Sequence, residues 1–180
     1  MVRIIVAALL LACCVLPCVA QEAAAPIPRP ALWDFLQTGF ECEGEVRSPE
    51  GEVVYRYTGT WKGEYVLDGK VMADTFRGFG PEGELIALGT NIRAWDPKAG
   101  RWQMKWIDAQ TGLWTQLGLE DGVTTDNGEI HFRGKGPQGR TFRVRFTDMT
   151  DDGFLWHGDL QQPDGSWHED WQLIKARRKA

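Results

Sequence analysis

Residues 76–84 read FRGFGPEGE, and residues 132–140 repeat the pattern as FRGKGPQGR. Glycines at this spacing would cradle a phosphate if they lay between a strand and a helix, where backbone N–H groups and a helix N-terminus converge on the anion. Neither copy opens a helix. The first is followed by Leu85 to Ile92, β-branched and broken by Gly89, and the second by Thr141-Phe142-Arg143-Val144-Arg145-Phe146, which alternates with period two. Pro-x-Gly between strands is turn chemistry: proline presets φ to about −65° and the glycine takes a positive φ at the fourth position. The same signal recurs as Ser48-Pro49-Glu50-Gly51 and Gln162-Pro163-Asp164-Gly165, with Asp96-Pro97-Lys98-Ala99-Gly100 as a longer variant. These turns predict hairpins rather than an anion site.

Between them lie about ten strands, at 40–47, 52–62, 64–67, 70–79, 84–95, 101–108, 112–119, 129–134, 140–148 and 153–160, with 166–175 closing the set if 64–67 merges with its neighbour. Alternation is clearest in four. Val53, Tyr55, Tyr57, Gly59 and Trp61 share one face; Phe142, Val144 and Phe146 another; Phe154, Trp156 and Gly158 a third; Trp167, Trp171 and Leu173 a fourth. Short hairpins with one packed and one wet face, and no crossover helices, predict an all-β antiparallel up-and-down meander, which most economically closes into a β-barrel without open edges. Ala31 to Leu36 is the one segment that reads as a helix, short and amphipathic, stopped by Gly39.

The first 20 residues carry Arg3, an apolar run from Ile4 to Val19 and small residues at Cys18 and Ala20, the pattern of a secretory signal peptide cleaved after Ala20. Residues 21–30, QEAAAPIPRP, read as a flexible lead-in, and 31–180 as a single barrel domain. The expected location is therefore secreted or periplasmic, with no membrane insertion of the mature chain. Three of four cysteines fall in the signal, leaving Cys42 alone; no internal disulfide or multi-cysteine metal site follows, and Cys42 reads as a small buried hydrophobe. The formal charge is −5, one unit more negative once Arg3 leaves, with no basic stripe, which argues against nucleic acid as a partner.

Residues 60–112 carry Trp61, Tyr65, Asp68-Gly69, Arg93-x-Trp95-Asp96-Pro97, Gly100-Arg101-Trp102 and Trp106-x-Asp108-x-x-x-Gly112, and the chain closes on PDGSWHEDWQLIKARRK. In these motifs it resembles the bacterial family called domain of unknown function 1579. The resemblance implies a calycin-like barrel, related in shape to lipocalins, and carries no established activity. The run GTWKGEY, residues 59–65, is faintly similar to the Gly-x-Trp-x-Gly of haem-binding nitrobindins, which would require His157 or His168 as axial ligand; His157 falls opposite the aromatic face of its strand, and no cofactor is expected.

No Gly-x-Ser-x-Gly, His-Glu-x-x-His or histidine cluster is present, and the sequence leans against an enzyme. The informative oddities are polar residues on faces that otherwise read apolar: Glu169 between Trp167 and Trp171, Asn91 and Arg93 with Leu85, Ala87 and Trp95, and Arg77 with Val71, Ala73 and Phe79. A buried carboxylate needs a partner, for which arginine is the usual choice. Such a pair either pins the barrel or anchors a ligand head group. The candidate ligand-binding residues are thus Tyr55, Tyr57, Trp61, Arg77, Asn91, Arg93, Trp156, Trp167, Glu169 and Trp171, for a small apolar or amphipathic molecule. The competing readings are an enzyme working through Glu169 and an interaction module with a filled barrel.

Overall fold

A computed structural model describes residues 31–118, 122–136 and 139–179. The expected signal peptide and lead-in lie outside the described residues. Strands β1 (Phe40–Arg47), β2 (Val53–Val66), β3 (Val71–Phe79), β4 (Leu85–Asp96), β5 (Arg101–Asp108), β6 (Trp114–Leu117), β7 (Val123–Asp126), β8 (Glu129–Lys135), β9 (Thr141–Thr150), β10 (Gly153–Gln161) and β11 (Trp167–Arg178) form one antiparallel sheet. Each pairs with its predecessor up to β6, and β1 pairs with β11. A β6–β8 pairing of two residue pairs, Gln116↔Lys135 and Leu117↔Gly134, closes ten strands into a ring, and β7 pairs with the earlier part of β8 along that same edge. The chain is a closed, all-β antiparallel barrel. Residues 52–62 and 64–67 are one strand, and β7 is an addition that its polar sequence, Val123-Thr124-Thr125-Asp126, does not advertise.

All four Pro-x-Gly tetrapeptides connect hairpins. In each, the glycine N–H returns to the carbonyl three residues earlier, Gly51 to Ser48 (2.9 Å), Gly83 to Gly80 (2.9 Å), Gly139 to Gly136 (3.2 Å) and Gly165 to Gln162 (3.0 Å), with a positive φ at the glycine. Strand direction puts all four at the same end of the barrel, together with the β5–β6 connection.

The opposite end is plugged. The segment expected as an amphipathic helix is a single stretch of 3-10 helix, Asp34–Thr38, which places Trp33 and Leu36, both fully buried, under the barrel. Its brevity explains the difference: Gly39 at φ +80° ends it before an α-helical turn can repeat. Trp33 meets Trp102, Phe132 and Phe146 edge-on, with ring centroids 5.8–6.4 Å apart, a geometry that adds about 0.5–1.5 kcal/mol per pair to area burial. The two ends of the described chain come together here, since Lys179 N–H donates to the Gly39 carbonyl at 3.2 Å.

Inward faces alternate as expected in β2, β4, β9 and β10. Two strands differ. In β3 the buried set is Met72, Asp74, Phe76 and Gly78, so Arg77 points to solvent. In β11 the buried set is Ile174 and Ala176, with Gln172 beside them on the cavity side, so the face of Trp167 and Leu173 is not the packed one. Cys42 is buried on β1, and burial pushes its thiol up to about 12. An aromatic disulfide reagent at pH 8 should leave it unmodified in the folded protein and label it stoichiometrically in denaturant; rapid labelling of native protein would contradict its placement.

Candidate functional site

Above the plug the barrel encloses a cavity of about 580 Å³, within the range of small-molecule sites. Its wall carries Trp61, Phe76, Trp106, Phe132, Phe142, Trp156 and Trp171. Two glycines make that wall possible. A Cβ at Gly89 would lie 2.1 Å from the Trp106 ring, and one at Gly44 would lie 2.0 Å from the Tyr57 ring, so each ring lies flat on the backbone of the neighbouring strand. Tyr57 also accepts a hydrogen bond from Gln172 Nε2, tying β2 to β11 across Gly44, and burial pushes its phenol up to about 12.

Below the cavity, on β3 and β4, lies a polar quartet. Asp74 Oδ1 accepts from Trp61 Nε1 (2.6 Å) and from Asn91 Nδ2 (2.9 Å), while Arg93 pairs with Asp74 Oδ2. Arg93 is 1% and Asp74 0% exposed, and the guanidinium stacks 4.3 Å over the Trp33 ring, which joins this network to the plug. Burial pulls Arg93 down to about 9, still high enough to leave it charged at neutral pH beside the carboxylate. Asp74 Oδ2 and Arg93 Nε and Nη1 are sealed from solvent, while Arg93 also borders the cavity floor. The geometry is that of an ion pair pinning the barrel.

Five of the ten residues read from sequence line the cavity: Trp61, Asn91, Arg93, Trp156 and Trp171. Tyr57 is buried beside it. Tyr55 is at the rim, its hydroxyl 3.4 Å from Glu84 Oε1, because β2 projects above the cavity there. Arg77, Trp167 and Glu169 do not line it. Arg77 has the wrong parity, since the carboxylate that Arg93 needs is Asp74 and fixes the other face of β3 inward. Trp167 lies under the Arg143 guanidinium, 4.6 Å from its ring centroid, and Glu169, 70% exposed, bonds Arg143 Nη2 at 2.7 Å.

The cause is a bulge. Gly158 pairs with Gln172 but Leu160 pairs with His168, so three residues of β11 face Asp159, and Asp170 takes φ +49° to absorb them. The bulge is clamped by Asp159, which also borders the cavity. Asp159, whose side chain is fully buried, accepts from Arg143 Nε (2.5 Å), Arg145 Nε (3.2 Å) and the Asp170 N–H (2.7 Å). Burial pushes its carboxyl up, but the two arginines outweigh this and hold it below the ordinary range. Asp170 in turn meets Nδ1 of His157 (2.7 Å), whose Nε2 meets Thr147 Oγ1 (2.8 Å). This relay lies away from the cavity, and neither His157 nor His168 lines it. Among the described residues, no three of His, Cys, Asp and Glu are grouped to hold a metal, and no helix is long and apolar enough to cross a membrane.

The cavity opens at the Pro-x-Gly end, where Asp108, Gly136, Arg140 and Trp171 lie on its wall. Val54, Tyr55, Leu85, Ile86, Leu113, Trp114 and Trp171 are exposed there, against Leu67 alone at the plugged end among the described residues. Sequence reasoning missed Asp74, Trp106 and Arg140. The register was the signal for the first, since Asp74 sits opposite both Gly63 and Asn91.

No family model matches the chain, and no curated protein matches it. Among solved structures, the S-type phycobiliprotein lyase of Guillardia theta is similar, with 10% identity over 82% of this chain and 90% of that chain at a TM-score of 0.56. That likeness shows a shared fold. A de novo designed fluorescence-activating β-barrel aligns with 12% identity over 84% of this chain and 100% of its own, at a TM-score of 0.39.

Proposed function

We propose that this protein is an exported member of the domain of unknown function 1579 family that binds a small, largely apolar molecule in its barrel. One observation carries the reading: the barrel is not filled, and a 580 Å³ cavity with seven aromatic rings on its wall opens at one end among exposed apolar side chains. Such a surface facing water is costly, and a bound apolar molecule relieves it. The signal-like first 20 residues support action outside the cytoplasm. The enzyme reading through Glu169 loses its support, because that carboxylate faces solvent outside the barrel wall.

Native mass spectrometry of the purified chain should show a co-purifying compound at one per protein, and adding N-phenylnaphthylamine to delipidated protein should raise its emission with saturation at one site. Ala87→Trp, which places a large ring in the cavity wall, should abolish both while the protein still melts cooperatively. A wild-type protein that melts cooperatively and takes up nothing would sink the binding function and leave the filled-module reading.

A further inference from the structure

Resting on that reading, we infer that the ligand is a ring system carrying an anionic group, bound with its rings inward and its charge at the mouth on Arg140. Seven aromatic side chains face the cavity, and flat rings meet such walls edge-on or offset more favourably than an alkyl chain does. The depth of the cavity offers a charged ligand little. Three charged-group atoms of the Arg93–Asp74 pair, Asp74 Oδ2 and Arg93 Nε and Nη1, are sealed off, and Asp74 Oδ1 is taken by Trp61 and Asn91.

The mouth is different. Arg140, at the end of the β8–β9 turn, is exposed on the cavity wall, and no ion pair among the described residues engages it. The neighbouring acid of the wall, Asp108, uses Oδ1 to accept the N–H groups of Gln110 and Thr111, both at 2.9 Å, so it caps its own turn. Arg143 and Arg145, close by in sequence, are spent on Asp159, an acid that also borders the cavity, and on Glu169 and Asp170 away from it. Arg140 is therefore the cation of the cavity wall without an internal carboxylate, and its planar fork suits a carboxylate or sulfonate.

A matched pair of probes separates the parts of this inference. Anilinonaphthalene sulfonate and N-phenylnaphthylamine share one ring skeleton and differ by the anion, while dodecanoate keeps an anion and replaces the rings with an alkyl chain. The sulfonate should bind about three- to fivefold tighter than the neutral amine at low salt, the size of an exposed ion pair, and lose that advantage at high salt. Arg140→Gln, an exposed substitution that leaves the melting curve in place, should equalise the two by weakening only the sulfonate. Dodecanoate should bind at least tenfold more weakly than the sulfonate. An unchanged ratio in Arg140→Gln overturns the anion contact, and dodecanoate matching the sulfonate overturns the preference for rings. If all three fail to bind the cooperatively folded wild type, the binding function itself falls; if the neutral amine binds and the pattern among the others is wrong, only the ligand class does.

Discussion

Asp74→Ala should destabilise the barrel by about 3–5 kcal/mol, the largest effect expected of a single polar substitution here. The loss exceeds the worth of the contacts removed because Arg93 remains, charged and 1% exposed, with its carboxylate gone. Trp61 Nε1 and Asn91 Nδ2 lose their acceptor in the same stroke. Replacing both charges, as Asp74→Leu with Arg93→Met, should recover most of the deficit, since a buried pair exchanged for apolar side chains of similar size is often neutral. Urea denaturation of the two single variants and the double variant tests this. A loss under about 1 kcal/mol for Asp74→Ala would mean that water reaches Arg93 and that the quartet is part of the open cavity.

Trp33→Ala should cost about 3–5 kcal/mol as well, through a different term. The ring is fully buried against Trp102, Phe132 and Phe146 and stacked on Arg93, and the segment that carries it is too short to refold around a void. Its removal also joins the cavity to solvent at the closed end, so a bound naphthylamine should dissociate faster than from wild type. Trp33→Phe should retain most of the stability. Thermal melting with stopped-flow dissociation reads both effects; a variant as stable as wild type would show that the plug is dispensable to the barrel.

Much of the architecture was legible because turn chemistry is local. Pro81, Pro49 and Pro163 and their glycines announce a hairpin in four residues, and Tyr57, Trp61, Val144, Phe146 and Trp156 then set the inward parity of three strands unaided. Reading failed where parity depends on a partner strand. Asp74 looks like a solvent residue until Asn91 stands opposite it and Arg93 reaches it from the same face of β4, and that mistake sent Arg77 inward. It failed again at Asp170, where a left-handed residue inside a strand reverses the faces upstream; the Trp-x-Glu-x-Trp alternation is intact in the letters and broken in space. The site suffered more than the fold, because a cavity is what remains after every strand is placed, and Trp106 and Arg140 acquire a role only from strands distant in sequence.

The meeting of Gly39 and Lys179 beneath the barrel has a practical meaning for anyone handling the protein. A tether, tag or fused partner joined at either end of the described chain hangs from the stoppered base, and the entrance points away from the attachment. Immobilised by either terminus on a sensor chip or bead, the molecule stands like a cup fixed by its foot, so measurements of uptake on a surface and in free solution should agree.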